Sequence, residues 1–259
     1  MLCYSTSMNI NTTGIICAVE PHGERGVVIK TLTPDVGLLA GYVRSGQSRC
    51  LRPLLMPGNT VSIAWQARTD SQLGTMQIEL EHTRAQIMLD GRTKAMALAW
   101  LSALTATVLP ERMAYPVLHE ALLAWLDVLE YADDDQLWAE ALVKYELHLL
   151  SCLGFGLDLE RCAVTGHADD LIYVSPKSGR AVSRDAGRLY AKKLLPLPRF
   201  VQTTAQTRST VNDQTTALLD GFQLSGYFLE QHVLNGASRH ILNARQRLIE
   251  ALKSRETDF

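Results

Sequence analysis

No CxxC pair occurs in the 259 residues, and the five cysteines, at 3, 17, 50, 152 and 162, are odd in number and widely spaced. That excludes a redox dithiol or a four-thiolate metal site read from spacing, and points to unpaired thiols in a reducing compartment. The chain also lacks GxSxG, P-loop, GxGxxG and HExxH signatures, so none of the common hydrolase, nucleotide or zinc-protease chemistries is announced. Its seven histidines include no pair two to four residues apart. Apolar runs fall well short of the ~20 residues of a membrane helix. The opening MLCYSTSMNI has neither the basic nor the apolar region of a signal peptide. A surplus of one charge is missing as well: 25 basic residues stand against 27 acidic, for a net charge of −2. A nucleic-acid partner would therefore have to be met by a local basic face.

What is present is a large apolar fraction, 47%, enough for a substantial core. It changes period along the chain. Between residues 12 and 82 short β-rich runs alternate with turn signals: strands at 14–20, 26–32, 37–44, 59–68 and 73–82, with turns at Pro21-His22-Gly23, Thr33-Pro34-Asp35 and Thr69 to Gln72. Five strands in about 70 residues predict an OB-type barrel. Beyond residue 90 the apolar positions recur at helical spacing: Met96, Trp100, Leu104; then Leu118, Leu122, Trp125, Leu129; then Trp138, Leu142, Tyr145, Leu149. Asp133, Asp134 and Asp135 suit the positive end of the third helix. Two further helices are expected around Leu218 to Leu229 and Ile241 to Leu252, with a Gln-Thr-Ser loop at 202–210. The fold class is α+β: an OB-fold domain over residues 1–86, then a mainly helical domain over 87–259. Residues 1–10 are expected to be a poorly ordered extension, with Met8 as an alternative start.

The helical pattern is interrupted at about 157–187 by a small β insertion. One cysteine, Cys162, is followed by Thr165-Gly166 where a zinc ribbon would carry Cys-Gly. The run LIYVS, a turn at Pro176 to Gly179 and a basic strand end follow, and Ser183 and Ala186 stand where a second ligand pair would lie. Structural zinc takes four ligands in close pairs, so the insertion reads as a zinc-knuckle-like β hairpin without metal, and no cofactor is expected. Leu171, Tyr173, Val174 and Val182 are candidates for its small core. The acids Asp158, Glu160, Asp169 and Asp170 read as a solvated rim, since their spacing fits no calcium loop.

Basic residues cluster in two places. Arg44, Arg49 and Arg52 flank the long loop after the third strand, and Arg68 ends the fourth. Lys177, Arg180, Arg184, Arg188, Lys192, Lys193 and Arg199 lie within 23 residues with one acid, Asp185, among them. Such a face binds phosphates by charge, without base readout. Tyr42 and Trp65 lie on barrel strands and are candidates to stack bases, with a core role equally open to Trp65. His22, Glu24 and Arg25 read as a solvated turn.

Several stretches carry a resemblance, in order and with their spacing: GIICAVEPHGERGVVIKTLTPDVGLLAGYVRSG, LMPGNTVSIAWQAR with a following LG, KYELHLLSCLGFGLDLERCAVTG, YVSPKSGRAVS and LLPLPRF. Together they resemble the RecO family of bacterial recombination-repair mediators over about residues 12 to 250. The resemblance implies an OB fold, a helical domain and a ribbon-like insertion that binds zinc through four cysteines in many members; only Cys162 matches here. It implies a protein that is not an enzyme, acts in the RecF pathway of DNA repair, binds single- and double-stranded DNA and anneals complementary strands. The implied partners are the acidic tail of the single-stranded-DNA-binding protein, RecR and, indirectly, RecA, in the bacterial cytoplasm at the nucleoid, without a membrane. The tail pocket is expected on the helical domain, with Arg112, Lys144 and His148 as candidates. Because residues 45–51 carry few cations, charge removal at Lys177, Arg180 and Arg184 is expected to weaken strand binding more than removal at Arg49 and Arg52. A protein-interaction adaptor that meets DNA only through partners is the alternative. An enzyme with an unrecognised site in the helical domain is a third reading, with no acid-base constellation to support it.

Overall fold

A computed structural model of the chain describes residues 8–69, 72–202, 211–236 and 239–256. The expected loop at 202–210 lies, beyond Gln202, outside these residues, as do the first seven residues and the middle of the turn at Thr69 to Gln72.

Alternation of β-branched and polar residues makes the first five strands: β1 (Met8–His22), β2 (Gly26–Thr33), β3 (Gly37–Val43), β4 (Thr60–Ala67) and β5 (Gly74–His82). In β4 the alternation buries Val61, Ile63, Trp65 and Ala67 and turns their neighbours outward. The strands close into a barrel in the order β1-β2-β3-β5-β4, the expected five-stranded OB-type architecture. β1 begins earlier than the apolar pattern suggests. Its first half pairs with β4 from Met8↔Ala67 onward, its second half with β2, and a bulge at Ile16/Ala18 bends it between the two. Residues 8–10 are thus strand, not extension.

Closure depends on two parallel pairs only, Gly41↔Gly74 and Tyr42↔Thr75. Both glycines answer to Trp65, which is 1% exposed and donates its indole N–H to the Ala40 carbonyl at 2.9 Å. A Cβ on Gly74 would sit 2.2 Å from the Trp65 ring, and one on Gly41 2.7 Å from Met76. Trp65 therefore packs in the core with Ile16, Val27, Ile29, Leu39, Val61, Ile63 and Met76; it is no base-stacking residue.

The helices are α1 (Ala85–Leu89), α2 (Arg92–Val108), α3 (Pro116–Tyr131), α4 (Asp135–Cys152), α5 (Arg184–Gly187), α6 (Val211–His232) and α7 (Arg239–Glu256). By compactness the chain forms two units, Met1–Glu130 with Arg239–Phe259, and Tyr131–Ser238. This differs from a division at residue 86. In the first unit α2 packs on β1, β2 and α7, and Arg84 pins α3 to the barrel. That side chain is 3% exposed. It donates to the Gly58 carbonyl at 2.9 Å, the Thr60 hydroxyl at 3.1 Å and Asp127 at 2.8 Å, and lies 3.7 Å from Glu130. A buried guanidinium needs such partners, since an uncompensated charge is costly.

In the second unit Asp134 precedes α4 as its N-cap, and its carboxylate accepts the Gln136 N–H, a contact typically worth about 1 kcal/mol. α4 packs along α6, where Ser225 donates to the buried Glu146. The insertion is a three-stranded sheet ordered β7-β6-β8, from β6 (Leu171–Val174), β7 (Ala181–Ser183) and β8 (Leu195–Pro196). Leu171, Val174 and Val182 form its buried side, with Tyr173 half-buried.

Candidate nucleic-acid interface

The barrel carries one basic site at the end of β3. Pairing of β3 with β5 stops after Tyr42↔Thr75, and beyond that row lies a cleft of about 400 Å³. Tyr42, Arg44, Leu51, Met76, Gln77 and Ile78 are among its lining residues. The Tyr42 ring rests on Gly26, where a Cβ would come within 2.2 Å of it, and meets His22 edge-on at 5.8 Å. The predicted stacking residue is thus packed against the β1–β2 turn and only half exposed, and it lines the cleft.

The loop after β3 is held down at its root. Gln47 donates its side-chain amide to the Gly26 carbonyl at 2.9 Å and its backbone N–H to the Arg25 carbonyl at 3.1 Å. This ties the β3–β4 loop to the β1–β2 turn, so Arg25 joins Arg44, Arg49 and Arg52 on two connected loops. All four are exposed, and none forms an ion pair among the described residues. Arg25 is the residue that sequence reasoning passed over as part of a solvated turn. The signal for it was the hairpin register, which sets Gly26 next to the end of β3. Arg68 is exposed too, but β4 runs opposite to β3, so it lies on the other side of the Tyr42–Thr75–Gln66 row from Arg44.

The ribbon divides its cations. Arg180 Nε donates to Asp158 at 3.2 Å. Arg184 grips Asp170 with two bonds of 2.8 and 3.2 Å, and that carboxylate raises the guanidinium pKa. Lys177, Arg188, Lys192, Lys193 and Arg199 are exposed and form no ion pair among the described residues. Asp158 and Asp170, expected as a solvated rim, are exposed and at the same time pair with the two arginines.

Between these pairs sits Cys162, 0% exposed. Its sulfur lies 3.4 Å from the Ser183 hydroxyl and accepts the Ser183 N–H at 3.3 Å. Burial pushes the thiol pKa up, but hydrogen bonds from the side chains and backbones of Ser183 and Thr165 outweigh it and bring the value down to about 6. Cys17, in the barrel, is pushed up to about 12 by burial. The surroundings of Cys162 do not fit zinc: the Ser183 hydroxyl and N–H partner the sulfur, His167 only accepts the Cys162 backbone N–H on its carbonyl, and no group of three or more ligating side chains converges among the described residues.

The three residues expected at a tail pocket are not assembled in one unit. Arg112 belongs to the barrel unit, at φ +60°, with its guanidinium 4.6 Å over the Trp65 ring; it lids the core. Lys144 and His148 lie one turn apart on α4, Lys144 over the Phe200 ring at 6.0 Å and His148 3.7 Å from the Cys152 sulfur. No helix among the described residues is long and apolar enough to cross a membrane.

Two family models match this chain. Recombination protein O N terminal covers residues 8–84, and Recombination protein O C terminal covers residues 90–240. A DNA repair protein RecO of Rhodospirillum rubrum is 44% identical over 93% of the chain and 94% of its own length. The protein of that name in Methylorubrum extorquens is 41% identical over 91% and 95%, and that of Sinorhizobium medicae 39% over 94% of each.

Proposed function

The chain belongs to the recombination protein O (RecO) family of DNA repair proteins, and from that premise we propose that it binds and anneals single-stranded DNA by surface attraction, with no covalent step and no metal. The observation that carries this reading is the barrel end: four exposed arginines on two tied loops, with Arg44 and Tyr42 lining a cleft there. Bringing two complementary strands together requires screening of their mutual repulsion, and a fixed group of cations supplies it by displacing counterions. The cleft beside Arg44 gives a sugar or base edge an apolar seat without reading sequence.

In this reading the protein acts in the cytoplasm on DNA coated by its single-strand-binding protein, and with RecR helps to place the recombinase RecA. An acidic, Phe-ending tail needs a cation beside an apolar surface. Lys144 over Phe200, with His148 one turn away, supports such a contact on α4; Arg112, turned onto Trp65, does not.

Annealing of complementary strands, bare and coated by the single-strand-binding protein, tests the proposal. Acceleration of both reactions at low salt, falling steeply as salt rises, is the expected result. The net charge of −2 favours the adaptor reading instead. Capture of the coating protein without any binding of bare strands would establish that reading and sink this one.

A further inference from the structure

Between β7 and β8 the chain rises in an arch whose tip is the 3-10 segment Arg188–Lys193, and none of those six residues is buried. Leu189 is 88% exposed and Tyr190 60%. Isolated exposed apolar side chains are ordinary. Two adjacent large ones, on a segment anchored at both feet, are less so. At one foot Gly187 lies against Tyr173, where a Cβ would come within 2.5 Å of the ring. At the other, Leu195 and Leu197 are buried, and the Leu197 N–H bonds the Ile172 carbonyl at 2.9 Å. The tip is therefore held out, not loosely draped.

The cations around the tip set the chemistry of its partner. Arg188, Lys192, Lys193 and Arg199 are exposed and form no ion pair among the described residues, and no acid occurs between residues 186 and 199. We propose that Tyr190, with Leu189 beside it, is a stacking platform for an unpaired base of single-stranded nucleic acid, whose flanking phosphates are held by Arg188, Lys192 and Lys193. An acidic peptide would need a groove, whereas five of the six tip residues are exposed and none is buried. A membrane would need a broader apolar face than two side chains. A convex aromatic among cations suits an unstacked base with a phosphate on either side. Duplex DNA offers no free base face, so the same cations bind it without help from the ring. The tip thus separates single strands from duplex, a distinction that charge alone does not make.

This inference rests on the DNA-binding reading above, and its test separates the two. Fluorescence anisotropy of the full chain is measured with an oligothymidylate, with the same backbone made abasic, and with a duplex of equal phosphate count. Tyr190→Ala is expected to weaken oligothymidylate binding about tenfold, to leave the abasic strand and the duplex within about twofold, and to leave the salt dependence unchanged. Tyr190→Trp restores the affinity, and Leu189→Ser gives a smaller loss of the same selectivity. Equal losses on all three ligands, or no loss on any, would overturn the platform. So would unchanged binding by a Tyr190→Ala variant with an altered sedimentation coefficient, since that places a second copy of the chain on the tip. If the unaltered protein binds none of the three, it is the DNA-binding reading that fails.

Discussion

The two basic regions are built in opposite ways. At the barrel end, Arg25, Arg44, Arg49 and Arg52 stand on tied loops with no acid partner among the described residues. In the ribbon, the two arginines nearest the knuckle turn are bound to aspartates, Arg180 to Asp158 and Arg184 to Asp170. Those ion pairs, with the Cys162–Ser183 contact, join the segment 158–170 to the segment 180–184. In a zinc ribbon four thiolates would join such segments. A cation counted in a sequence is therefore not yet a cation available to a phosphate. Here part of the basic run holds the insertion together, and the rest, from Arg188 onward, remains exposed.

The comparison presumes a rigid barrel, and its removal is the largest effect expected. Trp65→Ala empties the site that Gly41 and Gly74 are shaped around and should cost about 3–5 kcal/mol, read as a drop in the denaturant midpoint of unfolding. Survival of the barrel with an unchanged midpoint would deny Trp65 its role in closure. Next in size is the loss of charge at the barrel end. Joint replacement of Arg44, Arg49 and Arg52 by alanine should weaken single-strand binding on the order of tenfold to a hundredfold. The slope of log affinity against log salt should become shallower by about 2, at roughly 0.7 per phosphate contact. A smaller change in slope would mean that these side chains do not touch phosphates.

Much of this scaffold was legible in the chain. Val61, Ile63, Trp65 and Ala67 alternate as a barrel strand should, and Trp138, Leu142, Tyr145 and Leu149 recur as a buried helix face should. Other parts were hidden for physical reasons. The polar start of β1, Asn9 to Thr13, is strand only because β4 supplies a partner, which no local pattern reports. β8 is two residues long and contains proline, tolerable at the edge of a sheet. α1 is too short to show a period. The return of α7 to the unit of the barrel depends on packing with α2. The ion pairs span 22 and 14 residues, so the acids looked like a solvated rim and the arginines like free cations.

The thiol in the ribbon gives a pH test of how the insertion is held. The Cys162 pKa is lowered from 9.0 to about 6 in the folded chain. A folded-state value below the unfolded one favours the native state where the thiolate is the folded form. The contribution is complete above pH 9, shrinks as pH falls, and is gone below about 6. The melting temperature of the natural chain should therefore rise between pH 6 and 9 relative to that of Cys162→Ser, and the two should converge below pH 6. Parallel curves across the range would show that the sulfur is not held as a thiolate by Ser183 and Thr165.

The smallest expected effect on DNA is the one that sharpens the comparison most. The count of basic residues in the sequence ranked Lys177, Arg180 and Arg184 above Arg49 and Arg52 as strand-binding groups. With Arg180 and Arg184 paired to Asp158 and Asp170, joint replacement of those two by alanine removes two positive charges but releases two carboxylates beside the ribbon. Exposed pairs of this kind are individually weak, so the arginines are not wholly withdrawn from solvent and some attraction for phosphate remains. A loss of single-strand affinity within about threefold is expected, with a salt slope changed by less than 1. Replacing the aspartates instead, Asp158→Asn with Asp170→Asn, frees both guanidinium groups and should strengthen binding. A loss from the arginine variant as large as that from the barrel triple variant would erase the difference between the two regions and restore the ranking read from the sequence.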